Sequence, residues 1–468
     1  KSSVDEASER KESKGGRMKR IIISTLILAV LSGCSVYRKY PRTAEVDRNL
    51  YGKEYSSEDS TSIATLSWKE LFTDTCLQRL IDTALVRNTD LGTARLRVEQ
   101  AEAALLTARL SYLPSVNVGV EGGLTGWDGS TAKTYNINGA ASWEIDIFGK
   151  ITAAKREAHA SLEKSYAYRQ AVQTQLVASV ASTYYTLLML DEQIIITEQT
   201  LQSWERTVST LRSLMRAGKA NDAAVLQAEA NRATLEASLL SMRKSLKETE
   251  NAMCLLLAQI PGSVERGKLA GQTFPDSVSI GIPVQLLANR PDVREAEMSL
   301  AKAFYATNVA RAAFYPSVNL SGSAGWTNNG GGVVLNPGQW LLNAIGSLTQ
   351  PLFNRGTNIA NLKIAKAEQE IAALAFQQKL LAAGSEVNNA LVALQTARER
   401  LAINSQSVVS LQEAVRKTEL LMRHSSVNYL EVLTAQQSLL DVQKSLAQDK
   451  FDEIQGIISL YHALGGGQ

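Results

Sequence analysis

The chain has 468 residues, enough for a large core or for about two to four ordinary domains. Its 49 Lys and Arg nearly balance 46 Asp and Glu, which excludes nucleic acid as the main partner because no strongly basic face is implied. Only three His and three Cys occur, none in a metal-ligand spacing, so no metal, no cofactor and no enzyme chemistry is expected.

Residues 1–17 are polar and are set aside as an upstream segment. Met18-Lys19-Arg20 is a short basic start, and Ile21 to Val30 is an apolar core of signal-peptide length, too short to span a membrane. "LSGC", Leu31 to Cys34, resembles the lipobox of bacterial lipoproteins. That resemblance makes 18–33 a lipoprotein signal peptide and Cys34 the lipidation site, and Ser35 after it favours the outer membrane. With Cys34 lipidated, Cys76 and Cys254 remain. Two helical Cys without a spacing signature read as free buried thiols rather than as a disulfide.

Residues 34–67 read as an extended polar segment. From Trp68 to Leu110 apolar residues recur at three and four, as at Leu77, Leu80, Ile81, Ala84 and Leu85, which predicts one helix. Pro114 stops it. The period then becomes two: Val116, Val118 and Val120, then Tyr135, Ile137, Gly139, Ala141, Trp143 and Ile145, alternate with polar residues. This predicts a β-hairpin over 115–148 whose strands have membrane-crossing length. Helical periodicity returns from Lys150 to about Ala217, reverses at Gly218–Asn221, and continues from Asp222 to about Gln259. This order makes a first repeat over 68–260, and 261–288 is a linker rich in Gly and Pro.

The second half, 289–464, repeats the order with a hairpin over 316–353, leaving 465–468 as a tail. "RLSYLPSVNV" at Arg109 returns as "RAAFYPSVNL" at Arg311, an offset of 202 residues, with Pro114 and Pro316 at the two helix-to-strand junctions. The helix reversal is repeated too: Arg216 matches Arg423, Asn221 matches Asn428, and Val225 matches Val432. The pattern is an internal duplication. A seven-residue seam from Val387 through Leu394, Leu401, Val408 and Val415 to Met422 predicts left-handed helix packing.

Four membrane-length strands cannot close alone, since open sheet edges are not tolerated in lipid and closed barrels need at least about eight strands. Three copies would supply 12. The expected fold class is therefore an α+β membrane protein: a trimeric 12-stranded outer-membrane β-barrel continued by a periplasmic helical coiled-coil barrel.

The sequence resembles the TolC-like outer membrane factors, in particular the lipoprotein branch of RND-type multidrug efflux systems. The pieces that carry this are "WKELFTD", "ALVRNTDLGTARLRVEQAEAAL", "ARLSYLPSV", "LLANRPDVREAEMSLAKA" and "ARAAFYPSVNLSGSAG". The resemblance implies a homotrimer in outer-membrane lipid that acts as the exit duct of a tripartite pump, with a periplasmic adaptor and an inner-membrane RND-type pump as partners. It also implies a constriction at the periplasmic helix tips. Glu431 matches a position where the family often places an acid. Its first-repeat counterpart is Ala224, Thr434 stands where a second acid can occur, and Asp222 is a substitute acid two residues away. Arg216, Gly218, Asn221, Arg423, Ser425 and Asn428 form the tip turns and the expected adaptor contact. Ser425 departs from the Gly common there. A conduit for type I protein secretion, or a structural periplasmic coiled-coil lipoprotein, are the alternatives.

Overall fold

The computed structural model describes residues 37–41, 66–127, 129–274, 290–327, 339–423 and 429–467. Cys34, the signal segment, Ser425 and Asn428 lie outside the described residues, as do 275–288 of the linker, Asn289 and the Arg423 side chain.

The elements in order are α1 (Trp68–Leu71), α2 (Thr75–Arg87), α3 (Thr89–Leu110), β1 (Ser115–Trp127), β2 (Ser130–Ile145), α4 (Lys150–Arg216) and α5 (Asp222–Leu256). After a 3₁₀ turn at Leu269–Gly271 come α6 (Pro291–Ala312), β3 (Ser317–Thr327), β4 (Gln339–Thr349), α7 (Thr357–Arg423) and α8 (Tyr429–Ala463). Helices α4 and α7 each run for 67 residues, roughly 100 Å at about 1.5 Å per residue.

The single helix expected over 68–110 is instead three. Two side chains compete with the helix at the breaks. Asp74 accepts from Cys76 N (2.8 Å) and caps α2, and Asn88 accepts from Asp90 N (3.0 Å) and Leu91 N (3.1 Å) and caps α3. Helix α5 also stops before Gln259. Ala258 takes φ 51°, and Gln259 N donates back to Cys254 O (2.8 Å).

The chain divides into two compact units. One unit, built from 1–43, 102–161 and 299–373, holds one antiparallel sheet in the order β1-β2-β3-β4. The two hairpins join through β2 and β3, with Ile137 opposite Trp326 and Ile145 opposite Val318. Cross-strand partners share a face. Val116, Ala141, Gly322 and Ala344 form one row, and Val118, Gly139, Ala324 and Leu342 form the next. The opposite face carries Asn117, Asn138, Asn319 and Ser347. The weak alternation in β4 reflects apolar residues at polar-face positions, such as Ile345 opposite Ser321. In the single chain the apolar face is bare, with Val118 77% and Leu342 81% exposed. Lipid is the medium that would cover such a face.

Both helix-to-strand junctions end alike, because Pro114 and Pro316 force the chain out of helix and leave carbonyls without helical partners. Trp143 Nε1 takes Tyr112 O (2.9 Å), Gln350 takes Phe314 O (2.9 Å), and Asn358 takes Ala313 O (3.0 Å).

The other unit, 44–101, 162–298 and 374–468, holds the main core. Leu71, Leu77 and Ile81 of α1 and α2 pack with Val180, Tyr184 and Leu187 of α4, Met253 of α5, Val387 and Leu391 of α7, and Ile457 of α8. Gly456 of α8 lies so close to α7 that a Cβ there would meet Leu394 Cα at 3.0 Å, so these two helices touch along their backbones. The expected seam is buried at Val387, Leu394 and Met422 and half-buried at Leu401, Val408 and Val415. Asn404 of α7 donates to the fully buried Asp449 of α8 (2.5 Å).

Candidate functional site

The region singled out by sequence is the reversal between α4 and α5 and the start of α8. A separate apolar cluster builds it. Trp204, Val208 and Leu211 of α4 pack on Ala224, Val225 and Ala228 of α5 and on Leu433 and Leu440 of α8, with Tyr429 partly buried against them. Helix α4 ends in a paired-carbonyl turn: Lys219 N donates to Leu214 O (2.8 Å) and Gly218 N to Met215 O (2.9 Å). That turn needs a left-handed residue, and Gly218 supplies it at φ +68°. Asn221 then caps α5, its Oδ1 accepting from Ala224 N (2.9 Å). Arg212 of α4 pairs with Glu229 of α5 (Nε–Oε1 3.0 Å) and holds the two arms together.

Two of the three candidate gate residues fall on first turns, and Thr434 lies just past the first turn of α8. Asp222 opens α5 and is exposed. Glu431 is in the first turn of α8 and is exposed, as is Thr434. Ala224, the counterpart of Glu431, is instead fully buried in the cluster. The repeats therefore differ physically here, one packing a methyl and the other presenting a carboxylate. Among the described residues no direct contact joins Asp222, Glu431 and Thr434. Arg216 is exposed, and its guanidinium reaches only Ser213 Oγ (3.4 Å) of its own helix among the described residues.

Three polar devices went unread in the sequence. Gln436 of α8 is buried beside the tip cluster, and its Nε2 donates to Ser203 Oγ (3.2 Å) and Thr207 Oγ1 (3.2 Å) of α4 and Glu419 Oε1 (3.0 Å) of α7. It ties three helices at one point. Arg266, in the linker, grips Asp191 of α4 (2.5 and 3.1 Å) and Glu250 of α5 (2.8 Å). Arg290 grips Asp292, Glu386 of α7 and the Ala463 carbonyl of α8. A signal for the last existed: a cation directly before a helix N-terminus is disfavoured by the dipole unless it is paired. Cys76 and Cys254 are free thiols, as their lack of spacing suggested, but only Cys254 is buried and Cys76 is half-buried.

The arrangement is a lipid-facing four-stranded sheet, long helices and a turn carrying exposed acids. A family model described as "Outer membrane efflux protein" matches residues 80–259 and 282–466. The chain belongs to that family. A second model, "Prokaryotic membrane lipoprotein lipid attachment site", matches residues 18–35. Among curated relatives, the cation efflux system protein CusC of Escherichia coli K12 is 29% identical over 94% of this chain and 98% of its own. The solvent efflux pump outer membrane protein SrpC of Pseudomonas putida is 31% identical over 94% of this chain and 97% of its own. Among solved structures, the open state of the Neisseria gonorrhoeae MtrE outer membrane channel superposes with TM-score 0.81 at 29% identity. That match covers 93% of this chain and 98% of MtrE. CusC superposes with TM-score 0.82 at 28% identity, covering 92% of this chain and all of CusC.

This outer-membrane efflux protein is therefore the exit duct of an efflux pump. Its fold class is that of channels whose barrel takes four strands from each of three chains and whose helices form a periplasmic tunnel.

Proposed function

We propose that the trimer rests closed at its helical tips and opens when a periplasmic adaptor docks on the two tip turns. An inner-membrane RND-type pump then delivers small molecules into the tunnel, and they leave passively down their gradient. The observation that carries this reading is the burial pattern of the first turn of α8. Val432 is fully buried and Leu433 packs into the tip cluster, while Glu431 and Thr434 beside them are exposed. Three copies would set three Glu431 carboxylates around a constriction, attracting cations and repelling anions. Asp222, exposed on α5, is the second acid of this gate. Both sit in the first turn of a helix, the end at which the helix dipole attracts negative charge.

Arg216, Gly218 and Asn221 in one turn, with Arg423, Ser425 and Asn428 in the other, form the adaptor contact in this reading, and Cys34 carries the lipid. Relatives similar to this chain are named for cation, antibiotic, toluene and solvent efflux. Such a spread on one fold supports a passive duct, with cargo chosen by the pump.

The test is export of a fluorescent pump substrate from cells lacking this chain. The wild type restores export, and the double variant Arg216→Glu/Arg423→Glu does not, although its trimer reaches the membrane. Full export by that variant would remove the tip turns from the adaptor contact. Restored secretion of a type I protein substrate, without restored small-molecule export, would move the function to protein secretion.

A further inference from the structure

We propose that the helix-side end of the sheet is a phospholipid-binding collar. Arg38, Lys39, Arg109, Lys155, Arg156 and Arg311 there take the phosphates of anionic phospholipids from the leaflet that holds the lipid anchor.

The register places one end of all four strands together. Ser115 pairs near the end of β2, Ile145 lies opposite Val318, and Ser317 lies opposite Thr349. Helices α3, α4, α6 and α7 all join the sheet at this end. The apolar face continues to its last rows, at Ile145, Val318 and Leu348. Aromatic rings follow at once: Trp143 donates to Tyr112 O, and Phe148 stacks on Tyr315 with centroids 5.1 Å apart. Aromatics at the edge of an apolar band mark the level of headgroups.

The cations lie just beyond. Arg109 and Arg311 precede their strands by six residues, and Lys155 and Arg156 follow β2 by ten and eleven. At about 1.5 Å per helical residue, all four sit within roughly 15 Å of the sheet. Two acids at this level are already engaged, and a third, Glu157, is half-buried near Lys302 and Glu368. Glu144 pairs with Lys150 (2.9 Å), and Asp146 caps α4 by accepting from Ile151 N (2.9 Å) and Thr152 N (2.8 Å). Among the described residues no carboxylate lies within ion-pair distance of the six cations. The whole chain is nearly neutral at +3, so this local excess is not a property of its composition.

The anchor leads to the same level. Tyr37 to Pro41 docks on this unit through Arg38 O, which accepts from Asn308 of α6 (2.8 Å). Tyr40 packs edge-on against Phe304 at 5.6 Å, and the Arg156 guanidinium lies 5.8 Å from the Tyr37 ring. Cys34 is three residues before Tyr37, a reach of about 10 Å of extended chain. An acylated Cys34 therefore enters the bilayer beside these cations. The docking also sets Arg38 close enough to Arg311 to disfavour its charge, after the larger effect of burial. Two guanidiniums held so near each other are relieved by an anion between them.

The test uses the full lipidated trimer, reconstituted in phosphatidylethanolamine vesicles with phosphatidylglycerol as the minor lipid. The protein is then extracted, and the lipid retained with it is measured by mass spectrometry. The wild type should retain phosphatidylglycerol above its share of the vesicle, and high salt should lower that enrichment. Arg38→Gln/Lys39→Gln/Arg311→Gln should lose it, by roughly fivefold for each strongly coupled cation. Arg38→Lys/Arg311→Lys, which keeps the charge, should retain it and guards against misfolding as the cause. Equal enrichment in the wild type and the neutral triple variant would overturn the proposal. So would enrichment that vanishes in Cys34→Ala alone, since the acyl chains would then be the lipid contact.

Discussion

Arg290 and Asp292, two residues apart, close a two-pronged ion pair: Nε to Oδ1 at 3.0 Å and Nη2 to Oδ2 at 2.8 Å. The Arg290 side chain is only 3% exposed, and it also reaches Glu386 (2.6 Å) and the Ala463 carbonyl (2.8 Å). Lys379 brings a second cation to Asp292 Oδ2 (2.9 Å). The start of α6 is thereby fastened to α7 and to the end of α8. Removing one partner of a buried pair leaves an uncompensated charge, which costs about 3–5 kcal/mol. Asp292→Asn should lower the thermal stability of the trimer by an amount in that range, partly offset because Glu386 remains. Lys379→Met, on the more exposed side, should do far less. Equal losses in the two variants would contradict the assigned order.

The same cluster predicts two steps in stability against pH. Burial holds the His462 imidazole below its usual range, and the Arg290 charge adds to this. The unfolded chain then binds a proton that the folded chain refuses. Stability falls as pH drops below the unfolded value of about 6.5. Burial alone would raise the Asp292 carboxyl, but the Arg290 hydrogen bonds and charge outweigh it and hold Asp292 far below the carboxylate range. Its contribution is complete above about pH 4 and is lost as pH falls further. Denaturation midpoints from neutral to acid pH should show both steps. His462→Gln should remove only the first and Asp292→Asn only the second.

At the tip, Gly218 at φ +68° has open space where a Cβ would stand, so Gly218→Ala is penalised through backbone conformation alone. The expected cost is about 1 kcal/mol, as it is for Asn221→Ala through its lost cap. Both effects should be local. Hydrogen exchange should rise in the first turns of α5 and the last turns of α4, while exchange in the main core stays unchanged.

Gln436 is the polar tie among α4, α7 and α8. Gln436→Leu leaves Thr207 and Glu419 without that partner, at about 1–3 kcal/mol. This variant should loosen the tip and raise basal conductance. Gln436→Glu, a charge beside Glu419, should raise it further. Conductance at the wild-type level in both would make the tie purely structural.

The duplication was legible because it writes the same junction twice, at Pro114 and at Pro316, and because period two and period 3.6 are separable signals. The two hairpins followed from it; their register, the β2–β3 pairing that joins them and the place of Ile345 on the polar face came only from the structure. The breaks at Asp74 and Asn88 were hidden because the apolar period runs straight through them and only the caps interrupt it. Gln436 and Arg290 were hidden for a different reason. Their partners lie 233 and 173 residues away at Ser203 and Ala463, and a polar residue on a helix face reads as solvated until its neighbours are known. Glu431 was legible as a candidate only through family resemblance; its exposure, with Val432 and Leu433 buried beside it, is visible only in the structure.

The most direct measurement is single-channel conductance of the purified trimer in planar bilayers, comparing wild type with Glu431→Ala and with Glu431→Ala/Asp222→Ala. The account predicts small, cation-selective currents for the wild type. They should be larger and less selective in the single variant, and larger again in the double. Currents of unchanged size and selectivity in both variants would contradict a gate built on these carboxylates.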